Sequence, residues 1–108
     1  MTRVKSGVLV SAALRCANQA LIDCVLARRG DADAGAIFVH IDALNGRHKL
    51  LARSLNVEGQ YEWNIITNTE WVDAEVASAR LAGEMKMDQD AFIIAVSDAQ
   101  ARNPFDAL

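Results

Sequence analysis

A chain of 108 residues has room for one ordinary domain and not for two. Its 52 % hydrophobic content and 23 % charged content, with both signs interspersed, describe a folded chain with a solvated surface and exclude a disordered one. A formal net charge of −3 without a Lys/Arg cluster argues against nucleic acid as a partner, and no apolar run reaches the roughly 18 residues of a membrane span.

The chain starts "MTRVKSGVLVSAALRCANQA", with basic residues before an apolar stretch in the manner of a secretory signal. Arg15 ends that stretch after only eight residues, so the expectation is a cytoplasmic protein with a helix here. The helix is predicted over residues 8–22. Leu9, Ala13, Cys16 and Ala20 recur at three- and four-residue steps, the spacing running on to Cys24, while Ser11, Arg15, Asn18 and Gln19 fall opposite. Cys16 and Cys24 match neither a disulfide framework nor a zinc-ligand spacing and read as buried thiols of a reducing compartment. Residues 24–28, "CVLAR", form a short predicted strand that runs into the loop "RRGDADAG" at 28–35.

The centre carries the clearest pattern. Two β-like runs, "AIFVHIDAL" and "RHKLLARSL", flank Asn45-Gly46, a pair that tolerates the positive φ of a two-residue type I′ turn. A second turn centred on Glu58-Gly59 leads into "YEWNIIT" at 61–67, so the three runs make an antiparallel meander. Two-residue loops would set Asp42 opposite Lys49, His40 opposite Leu51, Phe38 opposite Arg53, and Arg53 opposite Asn64. Alternation then places Ile37, Val39, Ile41, Leu50, Ala52, Ile65, Trp63 and Tyr61 on a core face. Phe38, His40, Asp42, Lys49, Leu51, Arg53, Glu62 and Asn64 share the other face.

Residues 68–73 read as a connection ending in Asp73, a good N-cap for a helix over 74–86 with Ala77, Leu81 and Met85 as its apolar stripe. After a turn at 87–90, the unbroken "AFIIAV" at 91–96 predicts a strand buried on both faces. The tail, 98–108, contains Pro104 and reads as irregular. Residues 1–108 thus form one small α+β domain in the order α-β-β-β-β-α-β. It is an antiparallel meander plus a C-terminal strand, with two helices packed on the Ile37/Val39/Ile41 face.

Two constellations could carry chemistry. The 28–35 loop fails as a calcium loop, because Gly35 stands where a third oxygen ligand belongs, and as a P-loop, because no Gly-Lys-Ser/Thr follows. It remains either a site, with Arg28 and Arg29 for an anion and Asp31 and Asp33 sharing a divalent ion, or a shaped turn. In the turn, glycines supply the backbone angles and the aspartates cap N–H groups. On the polar sheet face, His40 beside Asp42 and Arg53 fits acid–base chemistry on an anionic substrate. Phe38 and Leu51 make the same face fit a protein contact, unless the second helix covers it. His48, at the hairpin tip, is expected in solvent. No nucleophile elbow is present, which removes classical hydrolase chemistry.

The stretches "VSAALRCAN", "ARRGDADAGAIFVHI", "EWVD", "DQDAFIIAVSD" and "NPFD", in this order, resemble a family of small bacterial proteins known as domain of unknown function 1491. The resemblance covers nearly the whole chain, and its most specific part is 28–35. The chain departs from it in Phe92-Ile93, where the family commonly has Trp-Val, and in Cys24. The resemblance implies a compact cytoplasmic domain and no activity. The leading expectation is therefore a small cytoplasmic binding module. It would hold a protein partner, or itself as a homodimer, through the face around Phe38, His40 and Arg53 or through an open sheet edge. The rival is a small enzyme or ligand-binder for an anionic metabolite using Arg28, Arg29, Asp31, Asp33 and His40. No catalytic residue, cofactor or metal is assigned, and neither nucleic acid nor a membrane is expected as a partner.

Overall fold

The computed structural model describes residues 4–108. In chain order it forms α1 (Ser6–Gln19), β1 (Asp23–Arg28), β2 (Ile37–Asp42), β3 (His48–Leu55), β4 (Tyr61–Ile65), α2 (Ala74–Met87) and β5 (Phe92–Ser97), then a 3-10 turn (Pro104–Ala107). The α+β class and the element order are those predicted. The five strands make one sheet in the order β1-β5-β2-β3-β4. It is mixed, because β5 inserts between β1 and β2, antiparallel to the first and parallel to the second. That central place explains the unbroken apolar run: Phe92, Ile93 and Ile94 are each at most 2 % exposed, with protein on both sides.

Both hairpin loops are one residue longer than expected. The Ala43 N–H donates to the Arg47 carbonyl at 3.0 Å and the Asn56 N–H to the Gln60 carbonyl at 2.8 Å, leaving residues 44–46 and 57–59 as the loops. Gly46 (φ 84°) and Gly59 (φ 80°) each take the last loop position, where a left-handed residue closes a three-residue hairpin. The side chains of Asp42, Asn45 and Asn56 cap backbone N–H groups within these loops. Phe38 therefore pairs with Ala52, His40 with Leu50, and Arg53 with Trp63. The two one-residue shifts cancel, so β2 and β4 keep their predicted faces and only β3 is turned over. Leu51, Lys49 and Arg53 share the face of Ile37, Val39 and Ile41, while Leu50 and Ala52 join Phe38 and His40.

The helices lie on opposite faces of the sheet, not together on one. Val10 and Ala13 of α1 pack with Ile37, Val39, Ile41, Leu51 and the even-numbered residues of β5. Leu81 and Met85 of α2 pack with Phe38, Ala52 and Ile93 on the other side. A sheet whose central strand is apolar on both faces needs such cover on both. The buried stripe of α1 is Ser6, Val10, Ala13 and Ala17, rotated slightly from the predicted Leu9-Ala13-Cys16 line. The predicted cap of α2 is present, the Asp73 carboxylate accepting the Val76 N–H at 2.9 Å.

The C-terminal segment has little regular structure but is held firmly against α1 and the sheet. The Arg102 guanidinium forks onto the Asp98 carboxylate at 2.9 and 3.1 Å, and Phe105 packs tilted against Trp63 with ring centroids 4.8 Å apart. The hydrogen bonds from Arg102 hold the Asp98 carboxyl down at a pKa of about 2. Among the described residues, no helix is long and apolar enough to cross a membrane.

Candidate functional site

The 28–35 loop is a junction of four chain segments. Arg28, at the end of β1, donates from its guanidinium to the carbonyls of Asp88 (3.3 Å) and Gln89 (2.7 Å) in the turn before β5. The Asp31 N–H donates to the Asp90 carbonyl at 2.8 Å, and the Phe92 N–H to the Ala36 carbonyl at 2.7 Å. The loop also closes the N-terminus of α1, whose Lys5 N-cap makes no side-chain cap bond. The Gly7 N–H donates to the Ala32 carbonyl at 2.8 Å and the buried Ser6 hydroxyl to the Gly35 carbonyl at 2.7 Å. These bonds satisfy groups that a helix start leaves open.

The composition of the stretch follows from that crowding. A Cβ at Gly30 would lie 2.3 Å from the Asp90 carbonyl oxygen, and one at Gly35 would lie 2.4 Å from the same atom. Both contacts are with backbone, so nothing can rotate away. The Asp31 carboxylate accepts the Asp33 N–H at 3.0 Å, and the Asp33 carboxylate pairs with Lys5 at 3.3 Å. Arg29 is exposed. Of the polar groups considered for an anion or a divalent ion, Arg28, Asp31 and Asp33 thus have partners within the chain. Among the described residues no group of three or more His, Cys, Asp or Glu is placed to hold a metal ion.

The polar sheet face is dispersed. Phe38 is 7 % exposed beneath α2, and the turned-over β3 carries Arg53 to the opposite face. There Arg53 stacks over the Tyr61 ring at 3.6 Å and shares a cleft of about 200 Å³ with Asp33, so the structure brings together two predicted site residues far apart in the sequence. His40 instead meets His48, which is not in solvent: its side chain is 12 % exposed, and its backbone pairs with Val72 through two bonds of 2.8 and 2.9 Å. His40 Nε2 and His48 Nδ1 are 2.9 Å apart and share one proton, with Asp42 Oδ1 4.0 Å from the far nitrogen of His48. Burial first, and then the neighbouring His48, push the His40 pKa below its ordinary 6.5, against the pull of Asp42. Its position thus favours the neutral form of His40.

A further concavity has no counterpart in the sequence reading. A groove of about 810 Å³ lies between the end of α1, the sheet and the C-terminal segment, its walls including Cys16, Lys49, Leu51, Trp63, Ala101 and Arg102. Lys49 Nζ is paired with Glu70 at 3.3 Å and lies over the Trp71 ring at 4.6 Å. Ala101 is held at φ 54°, a conformation costly for a residue with a Cβ. The correct β3 register would have placed Lys49 and Leu51 on this side. Nothing in the sequence signals that the tail folds back to form the other wall.

The sequence matches the family model described as "Protein of unknown function (DUF1491)" over residues 4–106. The chain belongs to the DUF1491 family. A crystal structure of a DUF1491 family protein from Caulobacter crescentus CB15 superposes with a TM-score of 0.85 at 22 % identity, covering 94 % of each chain. An NMR structure of a DUF1491 family protein from the same organism gives 0.83 at 22 % identity, over 96 % of this chain and 94 % of that one. The solution structure of protein Atu0922 from A. tumefaciens gives 0.73 at 24 % identity, over 89 % and 86 %. At these identities the DUF1491 likeness speaks for the fold. Among curated proteins no match is found.

Three outcomes test this geometry. Gly35→Ala should cost on the order of 2 kcal/mol or more, a fall in Tm of roughly 10 °C, because backbone must move to admit the methyl group. Gly83→Ala, at a site in α2 with nothing within 4 Å, should instead add about 0.5–1 kcal/mol. The His40 pKa is lowered on folding, so the unfolded chain takes up protons more readily below about 6.5. This contribution to stability is complete above that pH and is lost as pH falls from it towards the folded value. Urea midpoints should therefore drop between pH 7.5 and 5, with a shallower drop in His40→Gln; equal slopes would contradict the lowered His40 pKa.

Proposed function

We propose that this DUF1491 protein is a small interaction module of the cytoplasm that accepts an extended strand along the outer edge of β1. The observation that carries the reading is the state of that edge. β1 pairs with β5 on one side only, and its middle, Cys24-Val25-Leu26-Ala27, carries no charge. Val25 is 55 % exposed there, and Leu21, just before the strand, is 90 % exposed. Natural sheets usually guard an open edge with charged side chains, so an edge without charge along its middle suits strand addition. The charges of β1, Asp23 and Arg28, stand at its two ends, whereas the opposite edge strand, β4, carries Glu62 inside its ends. Self-association and capture of another protein's strand are both forms of this contact. The face around Phe38, His40 and Arg53 offers no such surface, since Phe38 is covered and Arg53 lies on the other side. Two free thiols, Cys16 and Cys24, suit a reducing compartment; burial and the neighbouring Asp23 push the Cys24 thiol up to about 11, which keeps it unreactive.

The rival reading, a binder or enzyme for an anionic metabolite, draws little support from residues 28–35, where Arg28, Asp31 and Asp33 bond within the chain and Arg29 is exposed to solvent. The test is a titration of dilute, isotope-labelled protein with extended hexapeptides of alternating apolar and polar residues. Amide shifts should concentrate in 23–28, leave β4 unchanged and vanish in Val25→Lys. Shifts confined to the groove or to the His40–His48 pair would move the function to a ligand site.

A further inference from the structure

We infer that the strand taken up by β1 is β1 of a second copy, paired antiparallel about a two-fold axis at Val25 to make one continuous sheet across the dimer. This rests on reading β1 as the binding edge, and it adds the partner and the register.

The first support is charge. Four uncharged residues in β1 are flanked by Asp23 at one end and Arg28 at the other. Among the described residues neither has an ion-pair partner; Arg28 donates only to two carbonyls, which leave its charge uncompensated and several of its five donors free. Antiparallel self-pairing sets each acid near the other copy's arginine, and a parallel arrangement would set like with like.

The second support is the bulge. Leu26 lies opposite Ile94 but Arg28 lies opposite Ile93, so Ala27 is an extra residue. Without it, Arg28 would project to the α1 side. With it, Arg28 shares the α2 side with Asp23 and Val25, where a charge pair across the axis can form. An axis at Val25 sets Val25 against its own copy, Cys24 against the partner's Leu26, and Asp23 against the partner's Ala27, next to the partner's Arg28. Cys24 and Leu26 face the core side in both copies.

The third support is Leu21. It occupies the position after α1 where glycine is usual, at φ 58°, with the Ile22 N–H donating to the Ala17 carbonyl at 2.8 Å in the manner of a Schellman end. A leucine there is both strained and almost wholly exposed in one copy. In the dimer it falls near the partner's Arg29, whose exposed aliphatic stem can cover it. A five-residue strand contact is at the small end of specific interfaces, so the dimer should form in the micromolar range and not persist at high dilution.

The test is sedimentation equilibrium from about 1 µM to 500 µM, with disulfide trapping. Directly opposed residues of an antiparallel pair have Cα atoms about 4.5–5.5 Å apart, within disulfide reach. In a Cys16→Ser, Cys24→Ser background, Val25→Cys should therefore cross-link on mild oxidation, and Ala27→Cys, which does not face itself, should not. The native chain should move from monomer towards twice the monomer mass. Val25→Lys and Asp23→Lys, both at exposed positions, should each weaken association at least tenfold while leaving the dilute Tm unchanged. A native chain that stays monomeric at 500 µM, or a dimer indifferent to Val25→Lys, would overturn the inference. If the peptide titration still reports on β1 in a monomeric protein, the edge remains the binding site and only the second copy is wrong.

Discussion

The approach of two glycines to one carbonyl oxygen organises this fold. Asp90 ends the turn after α2, and its carbonyl accepts the Asp31 N–H while leaving no room for a Cβ at Gly30 or Gly35. From that point β1 ends, β2 begins, β5 enters between them and α1 starts against the loop carbonyls. A parallel β2–β5 pair needs a long crossover, here β3, β4 and α2, and the chain must return to a defined register after it. The loop supplies that registration by bonding to the turn from which β5 departs. Residues that resemble ligands, the two carboxylates between the glycines and Arg28 before them, are bound instead by groups of their own protein.

Much of this architecture is legible in the sequence, for identifiable reasons. Long-range burial shows in local pattern when one strand is apolar throughout, as 91–96 is, or when a helix begins at a side-chain cap, as at Asp73. Hairpin register does not show so directly. Asn45-Gly46 and Glu58-Gly59 each have the composition of a two-residue turn, but in both the glycine closes a three-residue loop, and one residue decides which face Leu51 and Arg53 occupy. Two equal shifts restored β4, so most of the core was placed correctly while the strand between was inverted.

The candidate site suffered from the same inversion. Grouping Phe38, His40 and Arg53 required β3 to present its odd residues on the α2 side, and its even residues are there instead. His48 then becomes the partner of His40, a contact that alternation does reveal once β3 is shifted. The groove beside Trp63 and the side of the sheet covered by α2 depend on chain reversals far apart in sequence. Local periodicity carries no record of those. The open edge of β1 is in between: its uncharged middle is plain in the sequence, but its edge position follows only from β5 joining it on one side.

Native-state hydrogen exchange at the junction tests most directly whether residues 28–35 are architecture. If the loop registers β1, β5 and α1, the amides of Gly7, Asp31, Gly35 and Phe92 should open together, with protection close to that of the β2–β5 ladder. Asp31 and Gly35 exchanging orders of magnitude faster than Phe92 would contradict it, and would return the glycine–aspartate stretch to the candidates for a mobile binding loop.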